Sequence, residues 1–231
     1  MLSSARLSAQ RSHDHQPDSS RMVGEADAAM SGPTTSNAAR HLEMSPQRGA
    51  TRADSVSARD VAARLRSALA KYADTSAAVA DGYKMFAPKL KQQRVYHFTN
   101  YRNAFKEAFR FDPQQPTSIL YRRAPDGRLQ LVGAMYTSPK RMRIDKLDER
   151  VPLSIARWHK HVNWCVPRRG DANRWTERRD GQAVFGPESP IANKDDCEAV
   201  GGLFLASPMG WMIHANVFLG DDLATVFGHD H

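Results

Sequence analysis

Nine histidines are spread unevenly along this 231-residue chain, and four of them sit in strings that could do chemistry. His97 lies in YHFTN, His159 and His161 in WHKHVNWC, and His214 in GWMIHANVF; each string is aromatic-rich and contains an asparagine. The others fall in a polar N-terminal stretch or at the extreme C-terminus. Imidazoles gathered in the segments best suited to pack point to a polar site inside a core, and neutral imidazole is a ligand for zinc, copper, iron and nickel. His97, His161 and His214 are the candidate metal ligands, with His159 as the alternate from the same string. Three imidazoles suit a tetrahedral zinc with an open position, or a copper site, and Met135, Met209 or Met212 nearby would tilt the choice toward copper. The expected cofactor is therefore zinc or copper, and the expected partner a metal ion or small ligand.

Other readings of the same residues stay open. Asn100, Asn163 and Asn216 could accept from the second ring nitrogen of each ligand, or could cap helices and pin turns, which is commoner. A lone histidine on an apolar strand is more often a satisfied core residue than a ligand, so a structural or interaction domain without metal stands beside the binding protein. A metal-dependent enzyme, oxidative or hydrolytic, is the third reading, although no carboxylate in these strings is placed to serve as a general base. Cys165 would complete a ligand set only if unpaired, and as a nucleophile activated by His161 it would sit on an apolar seam that disfavours the thiolate.

The elements that must position these groups can be read from period and punctuation. Ser57 with Asp60 caps a helix over Ala58–Tyr72, and a second helix over Thr75–Ala80 stops at Asp81-Gly82. Arg94–Phe98 reads as a short strand that brings in His97, and Asn100 caps a helix over Tyr101–Phe109. Thr117–Arg122 and Leu129–Thr137 form a hairpin across Pro125-Asp126-Gly127. Val151, Ile155, Trp158, Val162 and Cys165 recur at helical spacing, which favours a helix over Pro152–Cys165. On that helix His159 and His161 diverge by about 200° and cannot share an ion. As a strand the segment would point both the same way, like the His-x-His of cupin-type metal sites. Lys194–Val200 reads as a short helix, and Leu203–Ala206 and Trp211–Phe218 as strands, the last central, with Met212, His214 and Asn216 on one face.

Composition bounds the rest. Residues 1–56 are rich in Ser, Ala, Arg, His and Asp and poor in aromatics, so they read as a disordered tail, and residues 57–231 as a single α+β domain with a mostly antiparallel sheet packed against helices. The net charge of +8 falls almost wholly on that domain. Its basic strings (Arg122-Arg123, Lys140–Arg143, Arg168-Arg169) are short and carry no nucleic-acid signature, so no nucleic acid is expected. No run of about 18 apolar residues occurs, so no membrane span is expected either. Cys165 and Cys197 would bridge in an oxidising compartment and stay free thiols in a reducing one.

The succession HFTN, PTSILYRR, DGRLQLVGAMYTSP, LDERVPLSIARWHKHVNWC, CEAVGGLF and GWMIHANVF resembles a group of uncharacterised, usually exported bacterial proteins with counterparts in fungi. ADGYK, HFTN, the LVGAMY hairpin and the WMIH strand are also similar to a broader set of small secreted domains with an ADGY helix end, a His-Tyr-x-Asn string and a Trp-x-x-His strand. The resemblance spans most of Asp60 to Gly228. It implies a shared α+β domain and a secreted or periplasmic location, and it carries over no activity. The apolar core of a signal peptide is not found near Met1, which departs from that pattern.

Overall fold

The computed structural model describes residues 37–86, 88 and 95–228. Most of the expected tail, residues 1–36, and the expected strand start at Arg94 lie outside the described residues. Folded structure nevertheless begins well before Ser57. A single 3-10 turn, Ala38–His41, leads into β1 (Leu42–Met44), which pairs antiparallel with β6 (His159–His161). Helix α1 runs over Arg52–Leu69 and is capped by Thr51 in place of Ser57. Thr51 Oγ1 accepts from the Asp54 amide at 3.2 Å while the Asp54 carboxylate accepts from the Thr51 amide at 2.7 Å, a capping box. The expectation of disorder through Val56 therefore fails over residues 37–56. A three-residue strand with two apolar side chains is invisible to composition, because its stability comes from a partner strand more than a hundred residues away.

The expectation of an α+β fold holds. Seven strands lie in the order β1-β6-β11-β5-β4-β3-β2, every neighbour antiparallel, with β2 at Lys84–Met85, β3 at Tyr96–Thr99, β4 at Ser118–Arg123, β5 at Leu129–Ser138 and β11 at Trp211–Ala215. Helix α2 (Thr75–Ala80) ends at Gly82, whose φ of +86° is the left-handed cap that glycine adopts freely. Asn100 caps α3 (Tyr101–Glu107), accepting from the amides of Arg102 and Asn103, so it serves the backbone and not an imidazole. The β4–β5 hairpin turns at Gly127, φ +83°, as its Pro-Asp-Gly predicts.

Alternation sorts the sheet into two faces. Tyr96, Phe98, Ile119, Tyr121, Ala134, Tyr136, Trp211, Ile213 and Ala215 pack with Ala58, Val61, Leu65 and Leu69 of α1 into the main core. The opposite face carries His97, Met135, Met212 and His214. Between Leu120, opposite Gly133, and Tyr121, opposite Leu131, the register shifts, leaving Val132 as the extra residue of a bulge that bends the hairpin.

The region from Pro152 to Cys165 is where the sequence expectation fails most consequentially. Helix α4 (Ile144–Arg150) precedes it, and Pro152 O then accepts from Ile155 N and Ala156 N at 2.9 and 3.0 Å, forming one turn before the chain extends into β6. Asn163, at φ +58°, turns the chain into β7 (Trp164–Val166). The helical spacing of Val151, Ile155 and Trp158 reflects that single turn; from Trp158 onward the period is two.

β7 pairs with β10 (Leu203–Leu205), and next to it α5 (Lys194–Ala199) carries Cys197, which is disulfide-bonded to Cys165. The bridge removes Cys165 as a metal ligand or nucleophile. Gly202 packs on it so tightly that a Cβ would meet Cys165 Sγ at 2.5 Å and Cys197 Sγ at 2.7 Å. A two-strand ribbon, β8 (Arg178–Arg179) with β9 (Gln182–Ala183), and a short helix, α6 (Leu223–Phe227), complete the described elements.

Candidate functional site

With residues 159–161 extended, His159 and His161 lie on the same face, and Lys160 points the other way to Glu43 at 2.9 Å and over the Trp211 ring. The register places His159 directly across from Met212 of β11, so this face is the one that carries His214. All four candidate histidines therefore share one face, and all four are buried. Their ring centroids form a chain: His97 to His214 at 6.0 Å, His214 to His159 at 5.6 Å, His159 to His161 at 5.7 Å, and His161 to Trp164 at 5.2 Å. His159 is thus a central member of the row and not an alternate to His161.

The closeness of His97 and His214 says something about the sheet. Strands β4 and β5 separate them, and three inter-strand steps span roughly 14 Å of flat sheet. Rings 6.0 Å apart require the sheet to curl with the histidines on its concave side. Gly133 allows this, because a Cβ there would meet Ala215 O at 2.0 Å and Asn216 Cα at 2.8 Å.

The electrostatic states follow from burial. Desolvation pushes His97 down to about 4, and it does the same to His161, helped by the neighbouring His41. Both are neutral imidazoles at neutral pH, the form that ligates metals. His161 is fully buried and neither of its ring nitrogens has a hydrogen-bond partner among the described residues. Leaving such groups unsatisfied costs about 1–3 kcal/mol. Among the described residues, however, no three His, Cys, Asp or Glu side chains group closely enough to hold an ion. The row brings the imidazoles together in adjacent pairs and does not close them into the three-histidine site expected from His97, His161 and His214.

Two residues of this region escaped the sequence reading. His41, grouped there with the polar tail, is fully buried beside the row. Its Nδ1 and Nε2 lie 3.0 Å from Asn163 O and 2.7 Å from Ser189 O, so an N–H on either nitrogen has a backbone carbonyl to donate to and His41 pins the β6–β7 turn. Glu107 is the second. It is buried on α3, accepts from Thr117 Oγ1 and from the Thr137 amide at 3.0 Å, and burial pushes it up to about 7 against the opposing pull of those bonds and of Arg150. Thr117 and Thr137 line a cavity of about 240 Å³ together with His97, Thr99, Met135, Met209 and Met212. The available signal was the polar pair Asn103 and Glu107, one helical turn apart; the aromatic stripe Tyr101, Phe105, Phe109 masks it by looking like the inner face. A larger depression of about 890 Å³ near Asp74, Asp126 and Phe218 holds no histidine.

With this geometry in hand, comparison with protein-family models, with curated proteins and with solved structures finds no match for the chain. No helix among the described residues is long and apolar enough to cross a membrane.

Proposed function

We propose that this chain is a transition-metal-binding protein that uses its buried histidine row, with His159 and His214 as the central pair and His97 and His161 flanking them. The observation that carries the reading is His161, a neutral imidazole with two buried nitrogens and no hydrogen-bond partner among the described residues. Buried polar groups in native proteins nearly always have a partner, and an ion or an ordered water is the usual explanation for one that lacks a protein partner. Spacing supports an ion. Two imidazoles bound to one tetrahedral zinc at bonds of roughly 2 Å place their ring centres about 5 Å apart, and the neighbouring pairs here stand at 5.6–6.0 Å. A modest side-chain rotation closes that gap. Zinc and copper both accept such a ligand set, and the adjoining cavity leaves room for a small ligand. The resemblance to exported proteins fits a chain with a disulfide, which persists in oxidising compartments.

Cobalt(II) titration of the full chain tests this. The expected result is the intense visible absorption of tetrahedral cobalt, saturating near one equivalent and displaced by zinc; a spectrum identical to aqueous cobalt, together with no uptake of zinc or copper(I), would reject the site.

One observation favours a second reading, a metal-dependent enzyme. Glu107, held near the protonation midpoint at neutral pH behind the cavity wall, is the kind of carboxyl that relays protons in hydrolysis. Turnover of any ester or amide that disappears in Glu107→Gln with metal still bound would establish it.

A further inference from the structure

The histidines are not the only metal-binding side chains on the concave face. Met44 of β1 and Met212 of β11 stand directly across from His159 on its two sides, and Met135 of β5 stands directly across from His214. Side chains so paired have Cβ atoms about 5 Å apart. Met135, Met212 and Met209 line the same cavity as His97. Four of the six methionines in the described residues, at positions 44, 85, 135, 142, 209 and 212, thus lie beside the histidine row. Imidazole and thioether alternate there, with no carboxylate or thiolate among them. Hard cations take oxygen ligands and zinc takes thiolate, imidazole or carboxylate, whereas thioether sulfur is a donor for copper(I).

Resting on the metal-binding reading above, we infer that the resident ion is copper(I), held jointly by His159 and His214 and by thioether sulfur from Met135 and Met212, with His161 flanking the pair and Met44 and Met209 at the margin. Neutral imidazole and neutral thioether together keep the site at the single positive charge of the ion, which suits a buried concave face better than a divalent ion without a carboxylate partner. The same donors explain why no group of three His, Cys, Asp or Glu side chains forms there: the missing members of the set are methionines.

The test is anaerobic copper(I) competition against a bidentate chelator on the full chain with its disulfide intact, with zinc binding measured in parallel. Met135→Leu and Met212→Leu conserve volume and remove only the sulfur. One equivalent of copper(I), weakened at least tenfold in each variant while zinc affinity stays unchanged, with sulfur visible in the copper X-ray absorption spectrum, is the expected result. Copper(I) held equally well by the double variant would overturn the thioether assignment and leave the metal reading standing. Tight zinc without copper(I) would overturn copper and also leave that reading. Binding of neither would overturn both.

A different observation carries a second inference. Helix α3 is inverted: its buried residues are Asn103 and Glu107, while Tyr101 and Phe105, with Phe109 just past its end, are 66%, 69% and 78% exposed and the two phenylalanine rings meet edge to face at 5.3 Å. Each aromatic is followed by a cation, Arg102, Lys106 and Arg110. Aromatics interleaved with cations match an anionic bilayer interface, where rings enter the headgroup layer and cations meet lipid phosphate. We propose that this face docks the folded protein onto anionic membrane surfaces. Sedimentation of the full chain with phosphatidylcholine vesicles, with and without phosphatidylserine, tests it. Expected is binding to the anionic vesicles alone, reduced at least tenfold in Phe105→Ser/Phe109→Ser and in Arg102→Gln/Arg110→Gln. No vesicle binding, or a dimer that the phenylalanine variant disperses, would overturn it, the latter in favour of a second copy as the occupant.

Discussion

Substituting leucine for His161 should change stability in opposite directions depending on whether metal is present. In the metal-free protein the wild-type imidazole buries two nitrogens without hydrogen-bond partners among the described residues, in contact with the His159 and Trp164 rings. Removing those polar atoms recovers about 1–3 kcal/mol. Leucine is similar in size, so packing returns little of that as cost, and a net gain of about 1–2 kcal/mol remains. In a domain of this size that raises the melting temperature by roughly 2–8 °C in a chelator. With metal at about a hundred times its dissociation constant, the wild type gains about 2.7 kcal/mol by mass action. The variant lacks the imidazole that flanks the His159–His214 pair in the proposed site and gains far less, so the order of melting temperatures inverts. Thermal unfolding followed by circular dichroism, with chelator and then with zinc or copper(I), reads both arms. A variant that is less stable than wild type by about 2 kcal/mol in chelator, beside a wild type indifferent to metal, would show that His161 belongs to the core and refute the reasoning.

Three further outcomes follow from other parts of the molecule. Reducing Cys165–Cys197 opens a covalent loop with a sequence separation of 32, which on the chain-entropy model costs about 3–4 kcal/mol; denaturant unfolding of reduced and alkylated protein measures it. Gly133→Ala would drive a methyl into the Ala215 carbonyl and the Asn216 backbone, so it should lose about 3 kcal/mol or more and lower the yield of folded protein in a solubility assay. Glu107 is raised from 4.5 to about 7 in the folded chain, so the folded state holds its proton more tightly than the unfolded state between those values. Its contribution to stability is full below pH 4.5 and falls as pH rises through 7, by about 3 kcal/mol in all. Urea unfolding of wild type and Glu107→Gln at pH 4.5 and 8 should show the variant gaining on wild type by about that amount at the higher pH.

How much of this was legible before the fold depends on whether the information is local. The α2 boundaries, the Asn100 cap, the Pro-Asp-Gly hairpin and the short helix around Cys197 are set by residues within a few positions of one another, and the structure places them where the sequence does. The central position of β11 was also readable, because apolar residues on both faces mean that both faces are covered. His41 and β1 were not, since Leu42–Met44 gains its stability from pairing with β6. Helix α1 starts at Arg52 because Thr51 and Asp54 form a capping box there, a signal hidden by polar surroundings. The strand at His159 was masked by the one turn at Pro152, whose apolar spacing imitates a helix. The pairing of Met44 and Met212 with His159 is a statement about register between distant strands, which spacing along the chain does not encode.

Elemental analysis of the untagged full chain, beside His159→Ala and His214→Ala, the two central members of the row, decides whether these histidines hold a metal. About one equivalent of zinc or copper is expected in the wild type and none in either variant, with circular dichroism showing both variants folded. Protein that carries no transition metal and takes none up, with variants that are only less stable, would contradict it and make the histidine row part of the core.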